Sequence, residues 1–450
     1  MSQAISTKPP GGMRDFLADD VARRRFVLGV VQRVYESFGF VPLETPTIEN
    51  LTTLLGKYGP EGDQLLYRIL HRREKLERAL QAGSPTELDL ADEGLRYDLT
   101  VPLARVVANY RTLPAYYKRY AIQPVWRADR PGKGRFREFY QCDVDITGAR
   151  DRLADAEVCG AVATVLQELG FADFKILANH RELLRALVAA AGIPAEQEGQ
   201  ALIVLDKLDK IGREGVVAEF GQKGLGEAAA TSLLDRLDAV RADGALAQLA
   251  AGGSGEAFVA GASDLQTLFA AAAAGPAGPH LVFDPTLARG LSYYTGPIFE
   301  IAVPGLGGSM GGGGRYDNLI GMFGKQQIPA VGFSLGLERV LLVMEERGMF
   351  PDLGVGPQVL LCRFPDVPGA ASVAAATALR KQGLRVEVFA EPAKLGNQLQ
   401  YASNLGAPFA AILGSAEVAA GTIALKHLTS GDQVTVPLAE VADVVRRRGS

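Results

Sequence analysis

YYKRYAIQPVWRADRPGKGRFREFYQCDVDIT, residues 116–147, reads as two apolar, aromatic strands joined by a basic loop. Pro131, Gly132 and Gly134 mark the loop as a turn, and Arg130, Lys133, Arg135 and Arg137 charge it. The spacing predicts an antiparallel hairpin. Strand alternation then sorts the side chains, with Arg127 and Asp129 on one face of the first strand and Trp126 and Ala128 on the other. On the second strand Gln141, Asp143 and Asp145 share a face, opposite Tyr140, Cys142, Val144 and Ile146. A polar row of this kind is either the wet face of a half-exposed sheet or the floor of a binding site.

Outward from the hairpin the chain alternates strands and helices. A helix is predicted from Val21 to Phe38, capped by Asp19 or Asp20 and stopped by Gly39. GFVPLETPTIEN, residues 39–50, is extended, and its prolines, Pro42 and Pro46, confine it to a sheet edge or an interface. HRREKLERAL, residues 71–80, is a charged surface helix. LRYDLTVPLARVVAN, residues 95–109, passes from a short strand into a helix, with Asp98 and Thr100 on one strand face at its mouth. That pair suits either a helix cap or an ammonium group. Residues 151–169 read as an amphipathic helix, and FKILANH as a returning strand. Residues 181–274 are rich in Ala, Leu and charge at helical spacing, closed by Gly275-Pro276 and Gly278-Pro279. They form a helical insertion.

The strand grammar resumes in LVFDPTLARGLSYYTGPIFEI, residues 281–301, where Arg289-Gly290 sits in a turn before Tyr293-Tyr294. Four glycines, Gly311 to Gly314, allow a backbone to approach a ligand or a neighbouring strand. No Gly-Lys-Ser/Thr follows, so this is not a P-loop. A small-residue strand then leads into a helix with Arg339 at its start, where a cation opposes the macrodipole unless an anion is bound nearby. Beyond the linker PDLGVGP, strands and helices alternate as parallel β/α units followed by a hairpin and a last helix.

At 450 residues several domains are expected, and a net charge of −4 leaves any nucleic-acid binding to local basic patches. Three scattered cysteines argue for a reducing compartment, and four histidines without ligand spacing argue against zinc. With no apolar leader or membrane-length run in the sequence, a cytoplasmic protein without membrane contact is expected.

Several stretches together resemble the histidyl-tRNA synthetases, a class II aminoacyl-tRNA synthetase family. FVPLETPTIE is similar to motif 1, VWRADRPGKGRFREFYQCDVDI to motif 2, ARGLSYYTG to the histidine-specific motif and GFSLGLERV to motif 3. YDLT matches the amino-acid-binding strand, and the last residues resemble the anticodon-binding domain. The resemblance implies an α+β fold: an antiparallel-sheet catalytic core (1–180 and 275–349), a helical insertion (181–274) and a C-terminal α/β anticodon-binding domain (357–450). It also implies a homodimer that joins L-histidine to tRNA(His) through a histidyl-adenylate, using ATP with Mg²⁺ carried by the nucleotide. Carried over, Arg127, Arg289 and Arg339 are catalytic and, with Asp129 and Arg135, bind ATP. Asp98, Thr100 and Gln141 hold the α-amino group, while Asp145, Tyr293 and Tyr294 receive the imidazole. Asp143 is left without a role. The chain departs from the family at Ser292, where Asp is common, and at Asp145, where some members have Glu.

The rival reading is a catalytically silent paralogue, the regulatory subunit of ATP phosphoribosyltransferase. Such paralogues lose the arginines and the terminal domain, which this chain keeps. ARGLSYYTG also argues against a synthetase for glycine, threonine or proline.

Overall fold

The computed structural model describes residues 5–243, 255–288 and 293–448. Its strands are β1 (Val41–Pro42), β2 (Ile48–Asn50), β3 (Arg68–Leu70), β4 (Ala91–Leu95), β5 (Tyr117–Trp126), β6 (Glu138–Thr147), β7 (Lys175–His180) and β8 (Leu281–Phe283). They continue with β9 (Pro297–Ala302), β10 (Gly311–Arg315), β11 (Ala330–Gly336), β12 (Val359–Cys362), β13 (Val386–Val388), β14 (Phe409–Ile412), β15 (Thr422–His427) and β16 (Gln433–Pro437). Two compact units result, one reaching Phe350 and the other beginning at Pro351, with Phe16–Ala22 grouped with the second.

The first unit is built on an eight-stranded sheet of order β1-β5-β6-β11-β10-β9-β7-β8. The pairs β1·β5 and β7·β8 are parallel and the remainder antiparallel. The predicted hairpin is β5–β6, in register from Tyr117↔Thr147 to Trp126↔Glu138. Its loop closes through paired backbone hydrogen bonds between Gly132 and Arg135, with Gly134 at φ 67°, a conformation that favours glycine. The proline-bearing segment after the first helix takes the sheet edge as β1, because proline has no N–H to give a second neighbour.

Alternation on β6 gives Cys142, Val144 and Ile146 to an apolar core shared with helices Ala18–Ser37 and Leu153–Glu168. The second of these helices is not amphipathic as the sequence suggested. Ala154, Val158, Ala161, Val162, Val165 and Leu166 are buried around much of its circumference, since the sheet and helix Glu256–Ala273 both cover it. Neither Asp19 nor Asp20 is the N-cap residue of the first helix, which begins at Ala18 and holds both in its first turn, although Asp20 Oδ2 accepts from Leu17 N at 3.4 Å. The charged segment at 71–80 forms helix Arg73–Gln81 with no buried residue. Between Arg181 and Ala273 the described residues form helices and turns without a strand, and their apolar side chains join the same core.

The second unit carries a five-stranded sheet, β13-β12-β14-β15-β16. β12 runs parallel to β13 and β14, and the closing hairpin is antiparallel, as the β/α alternation predicted. Among the described residues no helix is long and apolar enough to cross a membrane.

Candidate active site

The polar row of β6 is not a wet face. Gln141, Asp143 and Asp145 are buried at 9%, 3% and 2% exposure, yet they line a cavity of about 880 Å³. Ten of the sequence-predicted residues meet around it: Asp98, Thr100, Arg127, Asp129, Arg135, Gln141, Asp145, Tyr293, Tyr294 and Arg339. Arg289, the remaining one, and Ser292 lie outside the described residues.

Two positions differ from expectation. Asp98 and Thr100 do not share a strand face: β4 ends at Leu95, and Thr100 opens helix Thr100–Asn109. Asp98 Oδ1 accepts from Val101 N at 3.0 Å, capping that helix from just outside it. β5 ends at Trp126, so Arg127 and Asp129 belong to the loop, although Arg127 N still reaches Arg137 O at 2.9 Å.

At one end of the floor the buried Arg119 of β5 faces Asp145 of β6 at 2.9 Å and donates to Leu99 O at 3.0 Å. The Tyr316 hydroxyl donates to Asp145 Oδ1. Burial disfavours the Arg119 charge, but Asp145 and Asp143 more than offset this and hold its proton above the usual guanidinium range. Burial and the Asp145 charge push the Tyr316 phenol well up, keeping it a donor. Burial lifts Asp145 above the ordinary carboxyl value even though Arg119 pulls against it. The glycines of β10 and β11 make this packing possible. A Cβ on Gly332 would lie 1.9 Å from Asp145 Oδ1, and one on Gly313 would lie 2.1 Å from the Gly332 carbonyl.

Next along the wall, Tyr58 and Tyr293 donate to the two oxygens of Asp98, each at 3.2 Å. Burial raises the Asp98 carboxyl, opposed by the Val101 N–H and by Arg127. The Tyr293 ring stands edge-on to Tyr294 and Tyr316. Gln141 Nε2 donates to Ser334 Oγ at 2.7 Å, which fixes the orientation of the amide.

The opposite wall is cationic. The Arg127 guanidinium lies 4.3 Å from the Tyr97 ring and 5.1 Å from that of Phe139, with Nε on Tyr97 O at 3.1 Å. Arg339, third in helix Leu337–Glu346, donates to the Ser309 carbonyl. Glu338 beside it is buried and takes Arg24 at 2.9 Å, Arg14 at 3.7 Å and the Tyr140 amide at 3.0 Å. The basic loop rests on this wall, with Lys133 on Glu346 at 2.6 Å and Arg137 N on Gly12 O at 2.8 Å.

Sequence reading missed Arg119, Tyr58, Tyr316, Ser334 and Glu338. Arg119 carried a faint signal, being a charge on the alternation face it shares with Ala121 and Gln123. The phenols carried none, because only tertiary folding brings them to the carboxylates.

A family model described as histidyl-tRNA synthetase matches residues 12–340, and one described as an anticodon binding domain matches 370–448. The chain belongs to the histidyl-tRNA synthetase family. It is 39% identical over 443 residues to a histidine–tRNA ligase of Cytophaga hutchinsonii, covering 96% of this chain and 98% of that one. A histidine–tRNA ligase of Gloeobacter violaceus is 40% identical over 465 residues, covering 97% and 98%. The crystal structure of histidyl-tRNA synthetase from Nostoc sp. PCC 7120 superposes with a TM-score of 0.77 at 30% identity, covering 99% of this chain and 100% of that one. A Bacillus halodurans chain titled as an ATP phosphoribosyltransferase regulatory subunit/histidyl-tRNA synthetase shares the fold, at 22% identity and a TM-score of 0.69, over 89% of this chain and 97% of that one. Membership explains why an antiparallel sheet bears the cavity and why a separate α/β unit follows.

Proposed function

We propose that the protein attaches L-histidine to tRNA(His) in two steps, through a histidyl-adenylate. One observation carries this reading: a single cavity joins a buried amide–carboxylate floor to a wall bearing Arg127, Arg135 and Arg339. Such a cavity suits a zwitterionic amino acid beside a polyphosphate. In the first step a carboxylate oxygen of histidine bonds to the α-phosphorus of ATP while the bond to the bridging oxygen breaks and diphosphate leaves. Both partners are anions, so the work of the protein is positioning and charge neutralisation. Arg127 and Arg339 meet the phosphates, with Asp129 and Arg135 at the nucleotide, and the family resemblance assigns Arg289 to the α-phosphate and the histidine carboxylate. Asp98, Thr100 and Gln141 orient the α-amino group, and Asp145 with Tyr293 and Tyr294 selects the imidazole. A site that hydrogen-bonds a ring N–H rejects isosteres strongly, because its own buried groups are otherwise left unpaired. In the second step a terminal ribose hydroxyl of the tRNA takes the acyl group and AMP leaves.

Mg²⁺ would enter with the triphosphate and help neutralise it. Among the described residues no three His, Cys, Asp or Glu side chains are grouped to hold a metal ion, so phosphate oxygens and water would supply most of its ligands. The second unit would read the anticodon, and residues 181–274 would be an insertion in sequence between the two halves of the core (1–180 and 275–349). The exposed Val41 and Ile48 would be covered in a homodimer, and the protein would act in the cytoplasm.

The test is histidine-dependent ATP–pyrophosphate exchange by the purified full chain. Arg127→Ala is expected to lower its kcat/KM roughly 10²- to 10³-fold without unfolding. Exchange with another amino acid and not with histidine would sink the assignment. Exchange with none, together with binding to a phosphoribosyltransferase, would favour a regulatory subunit.

A further inference from the structure

Residues 9–15, PPGGMRD, take no part in the mechanism above, yet they lie against the basic loop. The segment turns sharply: Met13 N donates to Pro10 O at 3.0 Å, and Gly12, third in that turn, has φ 82°. A positive φ at this place favours glycine. The turn presents two carbonyls to one loop residue. Gly12 O accepts from Arg137 N at 2.8 Å, and Gly11 O from Arg137 Nη1 at 3.4 Å. The fit is close, since a Cβ on Gly12 would lie 2.8 Å from Arg137 Cγ and 2.9 Å from Pro131 Cγ. Just past the turn, the Arg14 guanidinium lies 3.3 Å from the centre of the Phe136 ring, which lines the cavity.

These contacts lead to both arginines assigned to the phosphates. Arg137 O accepts from Arg127 N at 2.9 Å, and Arg137 Nε donates to Asp129 O at 3.1 Å. The residue held by the turn therefore also holds the chain at Arg127. Arg14 Nη2 lies 3.7 Å from Glu338, the buried neighbour of Arg339 in sequence. Glu338 also accepts from Tyr140 N at 3.0 Å, on the strand into which the loop leads. The loop needs such support, because Arg130, Lys133, Arg135 and Arg137 repel one another. Its pair between Lys133 and Glu346 is exposed on both sides, where an ion pair contributes little.

We propose that residues 9–15 are a strap that holds the basic loop against the cavity, with Arg14 a positioning residue for the nucleotide. This rests on the reading of the Arg127 and Arg339 wall as the phosphate site. Arg14 touches no substrate; it acts through Phe136 and Glu338, and the turn before it acts through Arg137. Held this way, the loop is in place before ATP arrives, and ATP does not have to order it. Loosening the strap lowers the fraction of molecules with the loop in place, and the apparent affinity for ATP falls by the same factor. The cavity floor is held by other contacts, Tyr58 and Tyr293 on Asp98 and Arg119 and Tyr316 on Asp145, so binding there is spared.

The experiment makes two measurements on the full chain. The first is limited trypsin digestion without ligand, following cleavage after Lys133, Arg135 and Arg137, which reports how often the loop lifts. The second is calorimetry with ATP and Mg²⁺ alone, and with histidine alone. Arg14→Ala is expected to speed the loop cleavages and to weaken ATP, each roughly 3- to 20-fold, while histidine binds as before. Arg14→Lys, which keeps a cation but loses the planar stack, should recover part of both. Gly12→Ala, which acts on the other half of the strap, should move both measurements in the same direction as Arg14→Ala. Loop cleavage at the wild-type rate in Arg14→Ala, or undiminished ATP affinity, overturns the proposal. So does an equal weakening of histidine, which would mark a general loss of structure. Should wild type bind no ATP, the phosphate reading falls, and the cleavage rates still decide whether the strap holds the loop.

Discussion

The two sheets of this protein treat buried polarity in opposite ways. The eight-stranded sheet buries Arg119, Asp143, Asp145 and Arg315 on or at the ends of its strands, with Asp98, Asp155 and Glu338 packed close by. Among the described residues, the buried polar side chains of the second unit are Ser372 and Gln398, and its core is valine, leucine, isoleucine, alanine and phenylalanine. Both sheets have ample apolar surface, so the difference does not come from a shortage of core. Burying charge is costly unless it is paired, and a fold retains such groups where they do something that apolar residues cannot. The five-stranded sheet keeps its polar groups outside, whereas the eight-stranded sheet gathers them around its cavity.

The contrast breaks first at Arg119. Arg119→Met leaves Asp145 buried without its cation and beside Asp143, and it should cost about 3–5 kcal/mol. Hydrogen exchange across Tyr117–Trp126 would read this locally, independent of whether the two units unfold together. Unchanged protection there would mean that the pair does not support the strand.

Asp143 should behave in the reverse sense. Its carboxyl lies at about 7 in the fold against an ordinary 3.8, so the folded state binds more protons than the unfolded one between those values. The sign follows: stability from this group is full below about pH 3.8 and is lost as pH rises through 7. Without substrate, Asp143→Asn should therefore be more stable than wild type at pH 8, by on the order of 2 kcal/mol. It should gain little at pH 4. Equal stability of the two chains across urea melts at both pH values would show that this burial carries no energetic penalty.

The smallest effect should fall in the second unit. Gln398 accepts from Arg363 N at 2.8 Å and donates to Arg363 O and Ala393 O, both at 2.7 Å, tying helix Leu395–Asn404 to the end of β12. Gln398→Leu loses three neutral hydrogen bonds to backbone groups that are only half-buried and can take water instead, and about 1–2 kcal/mol is expected in thermal melts. A loss as large as that for Arg119→Met would erase the distinction between the two sheets.

Much of this contrast was legible in the residues. Period-two alternation placed Gln141, Asp143 and Asp145 on one face, and turn chemistry located the hairpin loop, because both are local. The β/α order of the second unit was readable for the same reason. The partner of each charge was not. Arg119 and Asp145 meet only when the β5–β6 register is set, and Tyr316 and Tyr58 arrive from segments 171 and 40 positions away from the carboxylates they bind. Asp98 looked like a strand residue because YDL is apolar and extended in character. The Val101 amide captures it as a cap instead, and helix formation from Thr100 overrides that local preference. The burial of helix Leu153–Glu168 on several sides depends on the distant helix Glu256–Ala273, which no window around residue 160 contains.

Gly332 shows one consequence of a floor carved by omission. The place of the Asp145 carboxylate depends on a methyl group that is absent, since a Cβ at Gly332 would occupy the carboxylate's position. Every other amino acid has that carbon, so no missense change at this codon is silent in shape, however conservative its polarity. Most positions in a protein drift through chemically similar neighbours over generations. This one has no such neighbours, and the shape of the floor is inherited as an all-or-none character.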